Sequence, residues 1–334
     1  MLRRCFQRTP QIRQTIRVKL CDTDLYHRDA PCSGQLASLR DSMKRGAVTK
    51  SKLDKELVLE RKMLLIHHVL KLDHTKCVGC GICVSICPVE ALKLLPASVK
   101  DGKLVKKPLV DFDPARCTFC GECIVLCPTN ALRIEVNGEE RIPVVEAGVF
   151  PTLLKDIAVD VGKCDPLCHL SCEKECPTEA VKVDAEKKGD IVEKILDVKV
   201  SKEKCIFCGR CEFSCPQNAF HVKKPIHGII RLNSSLCPQS CRICVDVCSS
   251  KAITLGKDEK PLVFEEFCIY CGACQKSCPA NAITVDRTRV LHSEIRSGAW
   301  ITALEKLTSS DSLFKKFSAR SVKKLQEVVS KIDR

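Results

Sequence analysis

Short apolar or alternating runs recur through the middle of the chain and predict short β-strands. Each of six cysteine-rich loops has one such run before it and one after it. The leading runs are residues 66–72, 109–112, 157–161, 195–200, 229–232 and 262–264, and the trailing runs are residues 91–95, 131–136, 180–183, 219–222, 252–255 and 282–285. A helical turn is expected between each loop and its trailing run, as at residues 88–91 and 279–282. The pattern predicts six strand–loop–helix–strand units of α+β class.

The pattern changes to a helical period after residue 285. One predicted helix face consists of Trp300, Leu304 and Leu307, and a second consists of Val322, Leu325, Val329 and Ile332. This helical segment either covers a neighbouring module or docks a partner subunit. No apolar stretch approaches the roughly 18 residues that a membrane span requires, so we expect no transmembrane helix.

Cysteine dominates the chemistry, because six groups of four account for all but three of the 27 cysteines. Four groups, the regular motifs, follow the spacing Cys-x-x-Cys-x-x-Cys-x-x-x-Cys-Pro, and two groups, the stretched motifs, have longer spacings. The regular motifs are Cys77/Cys80/Cys83/Cys87, Cys117/Cys120/Cys123/Cys127, Cys205/Cys208/Cys211/Cys215 and Cys268/Cys271/Cys274/Cys278, and the stretched motifs are Cys164/Cys168/Cys172/Cys176 and Cys237/Cys241/Cys244/Cys248. The regular spacing is that of bacterial-type ferredoxins, so we predict six 4Fe–4S clusters. A structural zinc protein is the alternative, but zinc sites use two well-separated Cys-x-x-Cys pairs.

In two-cluster ferredoxins the last cysteine of one motif serves the cluster of the other motif. Applied here, this rule predicts six sites, numbered by the motif that supplies three ligands. Sites 1 to 6 take Cys77, Cys80, Cys83 and Cys127; Cys117, Cys120, Cys123 and Cys87; Cys164, Cys168, Cys172 and Cys215; Cys205, Cys208, Cys211 and Cys176; Cys237, Cys241, Cys244 and Cys278; and Cys268, Cys271, Cys274 and Cys248. The long gap after Cys127 favours pairing of neighbouring motifs in sequence. The short step from Cys215 to Cys237 would also suit a nested pairing, with motifs four and five inside three and six.

The residue after the second cysteine separates the two kinds of motif. It is glycine in the regular motifs, which permits positive φ and a close approach of backbone N–H groups to cluster sulfurs. His169 and Arg242 occupy this place in the stretched motifs. We therefore expect clusters 3 and 5 to differ in potential from the others, and we expect His169 to be an exposed loop residue rather than a ligand.

The formal charge of +14 would be typical of a nucleic-acid-binding protein. The negative charge of the predicted clusters offsets it. Six oxidised 4Fe–4S clusters with four thiolates each contribute about −12, so the loaded protein is near neutrality. No basic run interleaved with aromatic residues occurs beyond the first 20 residues, and we expect no nucleic-acid partner. Iron-bound thiolates require a reducing compartment, so a cytoplasmic location is expected.

The patterns divide the chain into five segments. Residues 1–60 are predicted to be a basic, poorly ordered extension: a segment upstream of the true start, an arm for a partner and a cleaved targeting peptide are all open. Ferredoxin modules are predicted at residues 61–140, 155–223 and 226–290, and a helical segment at residues 297–334. Cys5, Cys21 and Cys32 lie in the extension and are unassigned. No nucleophile–base arrangement, dinucleotide fingerprint or Walker loop accompanies the cysteines, so we expect electron transfer without a catalytic site.

Finer details resemble one group of proteins. They are Phe267-Cys-Ile-Tyr-Cys-Gly-Ala-Cys, Ser297-Gly-Ala-Trp, Cys77-Val-Gly-Cys-Gly-Ile-Cys and Cys237-Pro-Gln-Ser-Cys. Over roughly residues 60–307 the chain resembles the polyferredoxin subunit of archaeal tungsten or molybdenum formylmethanofuran dehydrogenase. The resemblance implies a relay from ferredoxin or heterodisulfide reductase to a complex that reduces CO₂. Members of that family carry eight cluster motifs and this chain has six, so the length of the relay differs. A polyferredoxin of a hydrogenase or heterodisulfide reductase complex is the alternative.

Overall fold

The computed structural model of the protein describes residues 46–189, 191–295 and 297–308. Small antiparallel sheets alternate with short helices along this part of the chain. One plan occurs three times: a strand pair joins the start and end of each module, and a second pair lies between its two cysteine loops. In each module, aliphatic and aromatic side chains pack with the cysteines in one buried core.

The first module contains nine strands and two short helices. They are β1 (Ala47–Lys52), β2 (Glu56–Lys62), β3 (His67–Asp73), α1 (Ile82–Ile86), β4 (Leu92–Leu95), β5 (Ser98–Lys100), β6 (Lys103–Lys106), β7 (Leu109–Phe112), α2 (Glu122–Val125), β8 (Leu132–Val136) and β9 (Glu139–Glu140). Strand β3 pairs with β8, and β4 pairs with β7. Residues 46–60, which the sequence assigned to a poorly ordered extension, instead add β1 and most of β2 to this sheet. Leu57 and Leu59 alternate into the core, which explains why the segment forms a strand.

The second and third modules repeat the plan with four strands each. A short helix, α3 (Pro143–Glu146), precedes β10 (Asp156–Val159), α4 (Ser171–Lys174), β11 (Val181–Lys188), β12 (Ile191–Val200), α5 (Arg210–Phe213) and β13 (Phe220–Lys223). The third module contains β14 (Ile226–Leu232), α6 (Ile243–Val247), β15 (Ile253–Leu255), β16 (Pro261–Val263), α7 (Ala273–Ser277) and β17 (Ile283–Val290). Strand β10 pairs with β13, and β14 pairs with β17. The strands thus join neighbouring motifs in sequence and do not follow the nested alternative.

The last described helix is α8 (Gly298–Thr308). Ser297 caps it, because its hydroxyl accepts the backbone N–H of Trp300 at 3.0 Å. Trp300 is 1% exposed and packs edge-to-face on Phe150, and the buried face of α8 shares a core with Ile82 of α1. This helix therefore covers the first module, as one of the two sequence interpretations proposed. The second predicted helix face at residues 322–332 lies outside the described residues, as do Cys5, Cys21 and Cys32. Across the described ranges, the structure contains no helix with the length and apolarity to cross a membrane.

Candidate metal centres

The second cysteine of each regular motif lies between two residues with positive φ. The pairs are Gly79 and Gly81, Phe119 and Gly121, Phe207 and Gly209, and Tyr270 and Gly272. Residues in this conformation turn backbone N–H groups toward the inside of the loop, where they favour an anion. Glycine is also required at position 79 for steric reasons, because a Cβ there would lie 2.4 Å from the carbonyl oxygen of Pro108.

The sulfur of the first cysteine in each regular motif accepts a hydrogen bond from one of these N–H groups. The donors lie two residues further on: Gly79 for Cys77, Phe119 for Cys117, Phe207 for Cys205 and Tyr270 for Cys268. The distance from Tyr270 N to Cys268 Sγ is 3.3 Å. Such N–H donors favour the thiolate over the thiol and would also stabilise added negative charge on a cluster.

The fourth cysteine of all six motifs accepts an N–H from the alanine four residues later. The sulfur–nitrogen distances are 3.2–3.3 Å for Cys87, Cys127, Cys176, Cys215, Cys248 and Cys278. In each case the residue before the alanine has positive φ, namely Glu90, Asn130, Glu179, Asn218, Lys251 and Asn281. Sequence reasoning missed this feature, although alanine at the fourth position after the last cysteine in all six motifs was the signal. Cys248 is followed by Ser249, whereas the other five motifs have proline at this place, and the same N–H contact forms there.

The stretched loops have a different backbone. His169 and Leu170 both have positive φ after Cys168, whereas in the other loop Ser240 has positive φ and Arg242 has φ of −123°. Of the eight cysteines in these two motifs, only Cys172 and Cys244 are buried, and the others are half-buried. The prediction that His169 is an exposed loop residue is confirmed.

The thiols of different motifs face one another within each module. Burial raises the pKa of Cys244 to about 12, with further contributions from Cys241, Cys237 and Cys278. Burial likewise raises the pKa of Cys172 to about 11, together with Cys168, Cys215 and Cys164. The same crosswise electrostatic interaction occurs in the other sites. Cys127 interacts with Cys77 and Cys83, Cys87 with Cys123, Cys176 with Cys211, and Cys248 with Cys274. The structure thus brings together the cysteines of each predicted set.

This donor set fits a 4Fe–4S cluster. Burial raises the pKa of Cys123 well above its usual range, and the neighbouring thiols Cys120, Cys117 and Cys87 raise it further, so this thiol favours a cation beside it. The cysteines of each set would bind an iron core as thiolates, and that core would supply the positive charge that stabilises them. In the described part of the chain, no three His, Cys, Asp or Glu side chains form a site for a single metal ion.

Sites 1, 4 and 6, one in each module, approach one another and are called the central sites. Burial raises the pKa of Cys80 well above its usual range, and Cys271 of the third module is the next largest cause. Between sites 4 and 6, Cys208 packs with Ile206 and Ile269 in one buried cluster, against which Cys271 also packs. The first and third modules therefore approach each other directly, so the order of the sites in space differs from their order along the sequence. Sites 2, 3 and 5, at the other half of each module, are called the outer sites.

Comparison with known proteins gives the same chemistry. The 4Fe–4S dicluster domain family matches residues 76–131, and the 4Fe–4S binding domain family matches residues 198–221 and 261–284. The ferredoxin-type protein NapF of Escherichia coli is 33% identical over 98 residues, which span 27% of this chain and 60% of that protein. An uncharacterized ferredoxin of Methanocaldococcus jannaschii is 28% identical over 128 residues, which span 37% of this chain and 68% of that protein.

A solved structure extends the similarity over most of the chain. It is one chain of the formate dehydrogenase–heterodisulfide reductase–formylmethanofuran dehydrogenase complex of Methanospirillum hungatei. The similarity covers 79% of this chain and 92% of that chain, with a TM-score of 0.68 and 30% sequence identity. With tandem 4Fe–4S domains and this degree of identity across nearly all of a relative, the chain belongs to the ferredoxin-type 4Fe–4S proteins.

Proposed function

We propose that the chain is a polyferredoxin with six 4Fe–4S clusters that carries low-potential electrons to a formylmethanofuran dehydrogenase-like complex. The observation that carries the proposal is the sixfold repetition of one arrangement: three cysteines in a loop, and a fourth cysteine whose sulfur accepts an alanine N–H at 3.2–3.3 Å. Each cluster would accept and release one electron. The chain would have no catalytic site of its own and would leave bond chemistry to its partners.

We infer that the ligands are the six crosswise sets predicted from the sequence. The support comes from the sulfur atoms that interact across each module, such as Cys278 with Cys237 and Cys215 with Cys164. The backbone contributes N–H donors around the sulfurs, and the apolar cores exclude water. Both features would set the reduction potential of the bound group.

The central sites suggest how electrons pass between modules. Each module would conduct electrons between its outer and central site, and the three central sites would form a junction. Electrons entering at one outer site could then leave at either of the other two. Cys80→Ala would remove site 1 from the junction and isolate site 2, while electrons could still pass between the second and third modules.

The partner is inferred from similarity to the chain from Methanospirillum hungatei. Ferredoxin or a heterodisulfide reductase would donate the electrons. The second candidate is a polyferredoxin of a hydrogenase or heterodisulfide reductase complex, and the presence of heterodisulfide reductase in that same assembly favours it. The two candidates differ only in the proteins bound.

Anaerobic purification of the native protein tests the partner. Mass spectrometry and metal analysis would identify the proteins and metals that accompany the chain. A tungsten or molybdenum pterin subunit together with an amidohydrolase-like subunit is the expected result. Nickel–iron or flavin subunits without the pterin protein would contradict the formylmethanofuran dehydrogenase assignment and support the second candidate.

A further inference from the structure

Arg287 of β17 lies at the contact between the first and third modules. Its Nε donates to the carbonyl oxygen of Tyr270 at 2.8 Å, and its Nη2 donates to that of Cys271 at 2.5 Å. The half-buried guanidinium interacts with Cys80 of site 1 and with Cys271 of site 6. Burial lowers the pKa of Arg287, but a guanidinium keeps its charge at any physiological pH.

Lys224 holds the corresponding place between the second and third modules. This half-buried side chain follows β13, and its Nζ donates to the carbonyl oxygens of Glu266 and, at 3.3 Å, Cys268. It interacts electrostatically with Cys208 of site 4 and Cys268 of site 6. The ammonium therefore lies between two central sites, as the guanidinium of Arg287 does.

Lys155 completes the set between the first and second modules. Its Nζ donates to Asn130 Oδ1 at 3.0 Å and lies 5.3 Å from the ring centroid of Phe207. It interacts with Cys127 of site 1 and Cys205 of site 4. Lys155 is the most exposed of the three cations, and it lines a small cavity with Lys224 between the modules.

We propose that Arg287, Lys224 and Lys155 are positioning residues that hold one positive charge between each pair of central sites, so that neighbouring central sites can be reduced together. This inference rests on the proposed cluster-binding function. Each reduction adds one electron, hence one negative charge, to a site and forms or breaks no covalent bond. Two reduced neighbours repel each other, and the repulsion is strong where protein excludes water. A cation between them opposes that repulsion for both, which would let the junction hold more than one electron.

The test is a redox titration of the anaerobic holoprotein with one-electron mediators, monitored by electron paramagnetic resonance. Arg287→Gln is expected to lower the reduced-to-oxidised ratio of sites 1 and 6 about tenfold at a fixed potential, a shift of about 59 mV for a one-electron couple. Two reduced neighbouring clusters broaden each other's electron paramagnetic resonance signals, and in this variant the broadening should appear only at lower potential. Lys224→Gln should lower the reduction potentials of sites 4 and 6. Lys155 is the most exposed of the three cations, so Lys155→Gln should give the smallest change in potential.

Two further variants separate charge from packing. Arg287→Lys keeps the charge and should retain most of the wild-type potential. Arg231→Gln removes a charge from the surface of the same module, where Arg231 is 61% exposed and paired with Asp286, and should shift nothing because solvent screens it. Iron content equal to that of the wild type shows that each variant has bound its clusters. If Arg287→Gln does not bind its clusters, the test is made with Lys224→Gln.

The proposal is overturned if the loaded glutamine variants titrate like the wild type. It is also overturned if Arg287→Lys shifts as far as Arg287→Gln, because the hydrogen bonds and not the charge would then be responsible. Failure of the underlying function has a different signature, since a wild-type protein without six clusters would show its deficit in iron before any titration.

Discussion

The two cysteine loops of the third module contain four cysteines each but have different surroundings. In the regular loop, Tyr270 and Gly272 have positive φ on both sides of Cys271, and the N–H of Tyr270 reaches Cys268 Sγ at 3.3 Å. In the stretched loop, the pKa of Cys237 is raised by burial and by Cys278 and Cys241, with no backbone N–H contribution among the described residues. One module thus contains a shielded, hydrogen-bonded site and a more open one.

The difference shows that ligand identity and ligand environment are set separately. Cysteine spacing determines which residues can bind iron, whereas the loop backbone and the neighbouring modules determine how the site is solvated. The β5–β6 hairpin of the first module partly covers the stretched loop, since Arg242 N donates to the carbonyl oxygen of Gly102 at 2.9 Å. Sites 3 and 5 are therefore expected to differ from the others in potential and in solvent access.

Replacing the fourth cysteine of either motif in the third module by alanine should have the largest effect, a loss of iron from one of the two sites. Cys278 belongs to the regular motif but is the proposed ligand of the open site 5, and Cys248 belongs to the stretched motif but is the proposed ligand of the shielded site 6. Cys278→Ala should remove one to about four iron atoms from site 5, and Cys248→Ala should do the same at site 6. Iron analysis and electron paramagnetic resonance of the two variants measure this. Loss at the site of each variant's own motif would contradict crosswise ligation.

A smaller effect is expected on the rate at which a chelator removes iron, which should be higher for the sites with stretched loops than for the others. A chelator added to the anaerobic native protein should remove iron first from sites 3 and 5, roughly a third of the total, because their cysteines are less buried. The release of iron with time, followed by the absorbance of the chelate, gives the fraction in each phase. The same protein in concentrated urea should release its iron in one phase. A single phase in the native protein would mean that the loops shield their sites equally.

Replacement of the residue after the second cysteine should give the smallest effect. Gly272→Ala places a side chain at φ of +82° and sets its Cβ 2.9 Å from Arg287 Nη2, so it should destabilise the protein by about 1–3 kcal/mol. Arg242→Ala, at ordinary φ, removes only an exposed ion pair with Asp246 and should cost less than about 1 kcal/mol. Urea unfolding of the loaded proteins under argon, followed by circular dichroism, compares them. Equal losses would contradict a conformational role for Gly272.

The sequence predicted the repeated parts of the molecule well, because each part depends on local chemistry. Cysteine spacing indicated the loops, alternation indicated the paired strands, and the period of Trp300 and Leu307 indicated the buried face of α8. The approach of Cys80 to Cys271 depends on how modules pack, and no local pattern encodes it. Arg287 was inconspicuous for the same reason, since an arginine in a strand is ordinarily solvated. Strand β1 was missed because its residues are mostly exposed and it is held by pairing with β2.

Counting iron and acid-labile sulfide in the anaerobically purified chain tests the central claim, that regular and stretched loops alike bind clusters. Six clusters predict about 24 iron atoms and as much sulfide per chain. About 16 of each would mean that only the four regular loops support clusters, and would contradict the account of the stretched loops as functional sites.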